Sequence, residues 1–390
     1  MNKNQNEKQY DVTVIGGGLT GKLMIYLLIE SGFFDKNRLC WINTEQKNNK
    51  DKRVSFINYK NFFKLVNSYG IKFLKHHYLK INKVEIHNMN ELTHLSLEDK
   101  IGHGVIIRND IFKDNLLISE NSLTIYKSKV VSTNYDKFFR CLILENGMRV
   151  NTSLVLSADG NLSPLRQLSN IEYINHDLDH TIISGYLNAR NFDTNTAKQI
   201  FLKDSFIGLL PYSKNVINFV WSLDNRVLSE KVNFNYHDEI IERLNSFFCK
   251  YDINFDQLKL PSNELQIYPI SIKYVQKPFK KRLMLIGDAA HSIHPLAGQG
   301  FNLSIEDCFY LMDCIRNAKK IGKDYGDESI LSEYKNLIQS RKNFITLITT
   351  ILFYVFKTRN NYINKTINKS LGYIEKTSSK NIFKILARGY

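Results

Sequence analysis

The chain has 390 residues, 43% hydrophobic and 23% charged, enough for one large domain or two sharing a core, which excludes a wholly disordered or disulfide-stapled chain. Its 53 Lys and Arg against 38 Asp and Glu give a formal charge of +15, which favours an anionic contact: a phospholipid surface, a phosphorylated cofactor or a nucleic acid. Lys and Asn are spread along the whole chain, so compositional drift accounts for the surplus equally well. The cysteines at 40, 141, 249, 308 and 314 form no CxxC pair and no metal-spaced cluster, the pattern of a reduced chain without structural zinc.

The opening segment is a short polar lead without signal-peptide or transit character, and points to a cytoplasmic chain. Tyr10–Ile15, Gly16–Gly18, Leu19–Ile29 and Arg38–Asn43 read as strand, turn, helix and strand, one βαβ unit. A helical pattern follows around Asn61–Tyr69, with short strand-like stretches over Val84–Glu98. Asn109–Ser119 is predicted helical. Ser122–Ser132, Phe138–Glu145 and Arg149–Ser157 read as a meander feeding a buried strand that ends in Asp159-Gly160. Thr181–Leu187, Gln199–Leu209, Asn215–Leu223 and Glu264–Tyr274 are strand candidates, and His237–Cys249 a helix. A strand over Arg282–Ile286, a helix over Asn302–Ala318 and helices at about 328–356 and 360–388 complete the chain.

The fold class expected from this order is α/β: a Rossmann-like domain built from N- and C-terminal segments, with an inserted, mainly β-sheet substrate domain. The boundaries expected are 1–80, 109–180 and 277–330 for the nucleotide-binding parts, 81–108 for a substrate-domain excursion, 181–276 for the substrate domain and 331–390 for a helical end. The apolar run Phe344–Phe356, about thirteen residues, is shorter than the roughly 18 to 20 needed to span a bilayer. It reads either as a helix buried on the nucleotide domain or as one lying on a membrane surface, its basic flank at Lys357, Arg359, Lys365 and Lys369 drawn to anionic lipid.

Gly16-Gly17-Gly18-Leu19-Thr20-Gly21 satisfies GxGxxG between a strand and a helix. Gly16 permits the turn, Gly18 lets a pyrophosphate approach the backbone and Gly21 allows close helix packing. The acid expected at the end of the second strand is replaced by Asn43, which can bond a ribose hydroxyl without charge. The block from Gly287 to Asn302 joins a carboxylate, Asp288, to a proline loop, a GQG turn and a helix start, a set able to hold a hydroxylated chain and to offer backbone amides to an electron-rich ring edge. His291 and His294 lack a third ligand at metal spacing and read as loop hydrogen-bonding groups. Asp159 also suits a plain Asx turn.

Three segments, GGGLTG at 16–21, SADGNLSPLR at 157–166 and RLMLIGDAAHSIHPLAGQGFNLSIED at 282–307, together resemble the FAD-dependent aromatic hydroxylases, most closely the ubiquinone-biosynthesis branch. Gly104-Val105-Ile106 with Asn109, Leu209-Leu210-Pro211, Phe219-Val220-Trp221-Ser222, Tyr268-Pro269-Ile270 and Leu371-Gly372-Tyr373 extend the likeness over almost the whole chain. The resemblance implies that Gly16, Gly18 and Gly21 hold the FAD diphosphate, that Arg53 lies near the flavin, that Asp159 belongs to a second dinucleotide segment, and that Asp288 contacts the ribityl chain. Pro295, Gly298, Gln299, Gly300, Phe301 and Asn302 would border and orient the ring. Asn43 stands where the family usually has Glu.

The function implied is hydroxylation of a polyprenylated ubiquinone precursor, a polyprenyl phenol, with NADPH or NADH as co-substrate and molecular oxygen. Contact with an anionic membrane surface on its inner face and with other pathway enzymes is implied too. The alternatives are a related hydroxylase of a soluble aromatic or secondary metabolite, and an FAD-dependent reductase without oxygen insertion. No RNP, zinc-finger or helix-turn-helix signal accompanies the charge, so nucleic acid is not an expected partner. No residue is identified by spacing as the base that would activate a phenol.

Overall fold

The computed structural model describes residues 7–44, 51–88, 93–119, 123–188, 192–202, 205–226, 242, 265–293 and 298–357. The helices expected over 237–249 and 360–388, and the His294-Pro295 pair, lie outside these residues.

β1 (Glu7–Ile15) enters the glycine turn, α1 (Leu19–Glu30) follows, and β2 (Leu39–Ile42) returns parallel to β1. Leu23 to Ile29 are all buried: a helix apolar on every side must lie between other layers. β3 (Val54–Asn58) leads into α2 (Tyr59–Asn67), capped by the Asn58 side chain, which accepts from Asn61 N. β4 (Tyr78–Ile81), β5 (Lys83–Asn88), β6 (Thr93–Glu98), β7 (Gly104–Arg108) and α3 (Asn109–Asp114) come next. Then follow β8 (Thr124–Tyr126), β9 (Val130–Tyr135), β10 (Arg140–Leu144), β11 (Arg149–Ser157) and α4 (Pro164–Leu168). The middle of the chain gives β12 (Ile174–Asn188), β13 (Thr196–Leu202), β14 (Ser205–Ser213), β15 (Val216–Asp224) and β16 (Gln266–Tyr274). β17 (Phe279–Lys280), β18 (Leu283–Leu285), β19 (His291–Ser292), α5 (Gln299–Lys320) and α6 (Glu328–Lys357) close the described chain.

Strand pairing sorts these elements into three sheets. The first runs β17-β18-β11-β1-β2-β8, with β10 and β9 attached to β11; its β18, β11, β1, β2 and β8 are parallel. Parallel strands are covered on both faces, so runs such as Val12 to Ile15 and Leu154 to Leu156 are apolar at nearly every position. The second runs β19-β16-β12-β15-β14-β13-β5-β6, antiparallel except where β13 meets β5. The third, β3-β7-β4, is small and antiparallel. Segments from both ends of the chain thus build one parallel sheet, the α/β arrangement expected.

Several local expectations are corrected. The helix from Asn109 stops at Asp114 rather than Ser119, because the Asn115 side chain takes the Ile111 carbonyl at 2.8 Å and Leu116 turns into the core. The run over 122–132 is two strands: β8 pairs parallel with β2, the extended pairing breaks at residues 127–129, and β9 then pairs antiparallel with β10. The single strand expected over 199–209 is a hairpin: Leu202 pairs with Ser205, so only the polar Lys203-Asp204 pair connects β13 to β14. The three-stranded sheet was not expected at all. Strand pairing also puts β12, from Ile174, and β19 in the second sheet.

α6 is about 45 Å long at the helical rise and bridges two cores. Its first half buries Ile330, Leu331, Tyr334 and Ile338 in the core flanking the parallel sheet. Farther along, Ile345 meets Ile293 and Leu303, and Phe353 packs edge-on against His180 and Phe206 of the second sheet at 5.0 and 5.6 Å. The opposite face exposes Phe344, Leu347, Ile351 and Tyr354. The later half is thus buried on one face, against the second sheet rather than the nucleotide-binding part, and exposed on the other. Among the described residues no helix is long and apolar enough to cross a membrane.

Candidate cofactor site

The glycine turn is held from three sides. Gly16 has φ +114, and a Cβ there would lie 2.2 Å from the Ala158 carbonyl oxygen, so only glycine fits. Gly16 N donates to Ile42 O at 2.9 Å, and Trp41 Nε1 donates to Gly16 O at 2.9 Å. A Cβ on Gly21 would stand 2.1 Å from Gly16 O, which explains the close seating of α1 on the turn. Gly18 differs: it caps α1 in extended conformation, no side chain caps the helix, and a Cβ there would meet nothing within 4 Å. The positive end of a twelve-residue helix thus opens into free space, the arrangement an anionic diphosphate requires. Asn43 closes the end of β2, with its side-chain oxygen directly over Gly17 and its backbone N–H donating to Tyr126 O.

Asp159 forms a turn. Its Oδ1 accepts from Ser157 Oγ and Ser163 Oγ, both at 2.6 Å, and its Oδ2 from Leu165 N at 3.0 Å, so the carboxylate fixes the start of α4. The backbone bond spans six residues to α4, so it is not the two-residue Asx turn that the sequence allowed. Gly160 beside it, at φ +83, has open space where a side chain would stand.

Gly287, at φ +58, packs on Thr20 of α1 and so brings Asp288 beside the glycine turn. Water reaches Asp288, yet protein encloses it on nearly every side; it lines a recess rather than the outer surface. Enclosure pushes its pKa up, His291 and Arg53 beside it pull it back, and Asp307 adds to the rise. Arg53 faces the same recess, its guanidinium held by Asp51 through Nε at 2.8 Å and Nη2 at 2.7 Å. Asn109 Nδ2 in turn donates to Asp51 at 3.0 Å. Tyr268, on β16, also interacts with Arg53 and Asp288, and enclosure raises the pKa of its phenol, so it stays protonated. The recess therefore gathers an acid, a guanidinium and a phenol from three distant parts of the chain.

The amino end of α5 lies against β3, the strand that follows Arg53. Gly298 caps the helix in the left-handed region at φ 61, again with no side-chain cap. Gln299 is buried, and a Cβ on Gly300 would touch only Ile293 at 4.0 Å. Phe301 turns inward, edge-to-face on Phe112 at 5.2 Å. The Asn302 side chain is fully engaged: it donates to Phe56 O at 2.8 Å and Gly298 O at 3.1 Å, and accepts from Asn58 N at 2.9 Å. For Phe301 and Asn302, only the backbone amides of the first turn are thus left to meet a ligand. Pro295 lies outside the described residues.

Two glycine-capped helix starts and a recessed carboxylate fit a dinucleotide with a polyol linker and a ring that gains electrons. Sequence reading found the glycines, Asp288 and the α5 start because each lies in a contiguous motif. It missed Trp41, Asp51, Tyr268 as a recess residue, and Asp307, whose partners are brought together only by folding. The one available signal was Trp41, two positions before Asn43 on the same strand.

A family model described as FAD binding domain matches residues 140–342, more than half of the chain. The chain is 25% identical over 403 aligned positions to the ubiquinone biosynthesis monooxygenase COQ6, mitochondrial, of Mus musculus, covering 90% of this chain and 84% of that protein. It is 28% identical to the ubiquinone hydroxylase UbiM of Neisseria meningitidis over 50% of this chain and 41% of that one. Among solved structures, PqsL of Pseudomonas aeruginosa superposes with a TM-score of 0.78 at 16% identity, covering 92% of this chain and 99% of that one. The p-nitrophenol 4-monooxygenase PnpA of Pseudomonas putida gives 0.78 at 14% identity over 98% and 99%. The resemblance to FAD-dependent aromatic hydroxylases is borne out by these relatives, and the chain belongs to the FAD binding domain family, with FAD as its cofactor.

Proposed function

We propose that the protein is a flavin-dependent monooxygenase that adds one oxygen atom to the aromatic ring of a polyprenylated ubiquinone precursor, using NADPH or NADH and molecular oxygen. The observation that carries this reading is the recess in which Asp288 and Arg53 meet Tyr268 of the second sheet, with the amino end of α5 packed on β3 next to Arg53. When bound, FAD supplies the activation of oxygen that no side chain can provide. The open end of α1 at Gly18 would hold its diphosphate, Asp288 its ribityl chain, and the first-turn amides of α5 would stabilise negative charge on the ring edge.

In register with Tyr268 on the second sheet stand Ile182, Ser222 and Phe206, and the neighbouring row of the same face carries Gln266, Ser184, Val220 and Gly208. A Cβ on Gly208 would have only Gln199 Oε1 and Val220 O nearby, at 3.6 and 3.8 Å. That mostly apolar face suits a flat ring and supports reading the second sheet as the substrate part of the molecule. The exposed stripe of Phe344, Leu347, Ile351 and Tyr354 supports contact with a lipid surface, the source of a polyprenyl substrate. The names of COQ6 and UbiM point to the same pathway.

The test is turnover under isotope-labelled molecular oxygen with a polyprenyl phenol, followed by mass spectrometry of the product. One labelled atom on the ring is expected. Turnover without label would establish a reductase, and labelling of a small soluble phenol alone would move the substrate to that class.

A further inference from the structure

Asp307 lies on α5, completely buried, and all of its acceptor capacity is used. Oδ2 accepts from Gly287 N at 2.9 Å and from His291 Nε2 at 2.8 Å. Oδ1 accepts from Tyr334 OH at 2.8 Å and from Lys342 Nζ at 2.8 Å, both on α6. Burial opposes its ionisation, but Lys342 and His291 outweigh that and hold the carboxyl below its usual range.

The two oxygens serve different parts of the molecule. Oδ2 grips the residue just before Asp288 and a residue three positions after it, so the turn that carries Asp288 is pinned at both ends. Oδ1 faces only α6. The carboxylate itself belongs to α5, the helix whose amino end packs on β3 next to Arg53. One rigid group thus fixes the spacing between the two halves of the cofactor site.

We propose that Asp307 is a positioning residue that, through Gly287 and His291, sets Asp288 against the amino end of α5 and thereby governs FAD affinity and the environment of the flavin ring. The proposal rests on the reading of Asp288 and α5 as FAD contacts. A merely structural Asp307 would treat its two sides alike; a positioning Asp307 does not.

His291→Phe removes a donor on the Asp288 side, and Tyr334→Phe removes one on the α6 side while leaving the turn untouched. For each, the melting temperature of the apoprotein, the FAD Kd and the visible circular dichroism of bound flavin are measured. Similar losses of melting temperature are expected in both. In His291→Phe the Kd should rise about tenfold, the worth of one hydrogen bond, with an altered flavin signal, while Tyr334→Phe stays within about twofold of the parent. His291→Gln, whose amide N–H reaches nearly the position of Nε2, should restore both. Equal weakening by the two Phe variants, or an unchanged Kd in His291→Phe, would overturn the proposal. Should His291→Phe fail to fold, Asp307→Glu, which keeps the charge but moves the carboxylate by a methylene, must raise the Kd and alter the flavin signal, and unchanged values overturn it. Failure of the parent protein to take up FAD would instead strike the underlying assignment of the cofactor contacts.

Discussion

Gly18→Val separates the role of the glycine turn in folding from its role in binding. Gly18 has φ −67 and ψ −176, an extended conformation that a β-branched residue adopts readily, and the space beyond its α-carbon is empty to 4 Å. The apoprotein should therefore lose no more than about 0.5 to 1 kcal/mol, the scale of a change at a helix cap without packing consequences. A bound diphosphate would be pushed off the first-turn amides of α1. Hydrogen bonds to a charged group contribute about 1.5 to 3 kcal/mol each, so loss of one or two weakens FAD by roughly tenfold to a thousandfold or more. Gly16→Ala is the contrasting case, because its methyl would stand 2.2 Å from Ala158 O at a positive φ, and it should destabilise the apoprotein itself by about 2 to 5 kcal/mol. Thermal melts of the two apoproteins and fluorescence titration with FAD decide the matter. A Gly18→Val protein with parental melting and parental Kd would refute the placement of the diphosphate.

Other outcomes follow from the same geometry. Asp288→Ala should weaken FAD by about tenfold to a hundredfold while the apoprotein melts at the same or a higher temperature, because a carboxyl whose pKa is raised by folding destabilises the native state at neutral pH; calorimetric titration and a thermal melt check both halves. Asp307 has the opposite sign. Its depressed pKa contributes stability that is complete above the unfolded carboxyl value of about 3.9 and is lost as pH falls through the lower native value, so Asp307→Asn should cost about 3 to 5 kcal/mol at neutral pH and less in acid, as measured by urea unfolding across pH. Phe344→Ser with Leu347→Ser should reduce sedimentation with anionic vesicles without altering FAD content, and binding by the parent should fall with salt; equal recovery of parent and variant would remove α6 from the lipid contact.

What was legible in the sequence was what is local. The βαβ unit could be read because its strands are apolar throughout and its turn is marked by glycines, and α5 because a GQG turn precedes a long helical period. The hairpin of β13 and β14 was hidden because two polar residues are a weak signal within an apolar run. The sheet of β3, β7 and β4 was hidden because its strands lie far apart in the chain and pair only in the folded state. The site divides in the same way. Gly16, Gly18, Gly21 and Asp288 stand in motifs, whereas Asp51, Tyr268 and Asp307 acquire meaning from partners that folding brings to them. In the segment expected to border the ring, the side chains of Asn302 and Phe301 knit α5 to β3 and to the core, which the motif alone does not reveal.

The most direct measurement is the flavin content of the purified full-length protein, by visible spectrum and by release on denaturation, before and after incubation with FAD. The account predicts a yellow protein that holds one FAD per chain, and that holds it less tightly on substitution of Asp288. A colourless, folded protein that takes up no added FAD would contradict it.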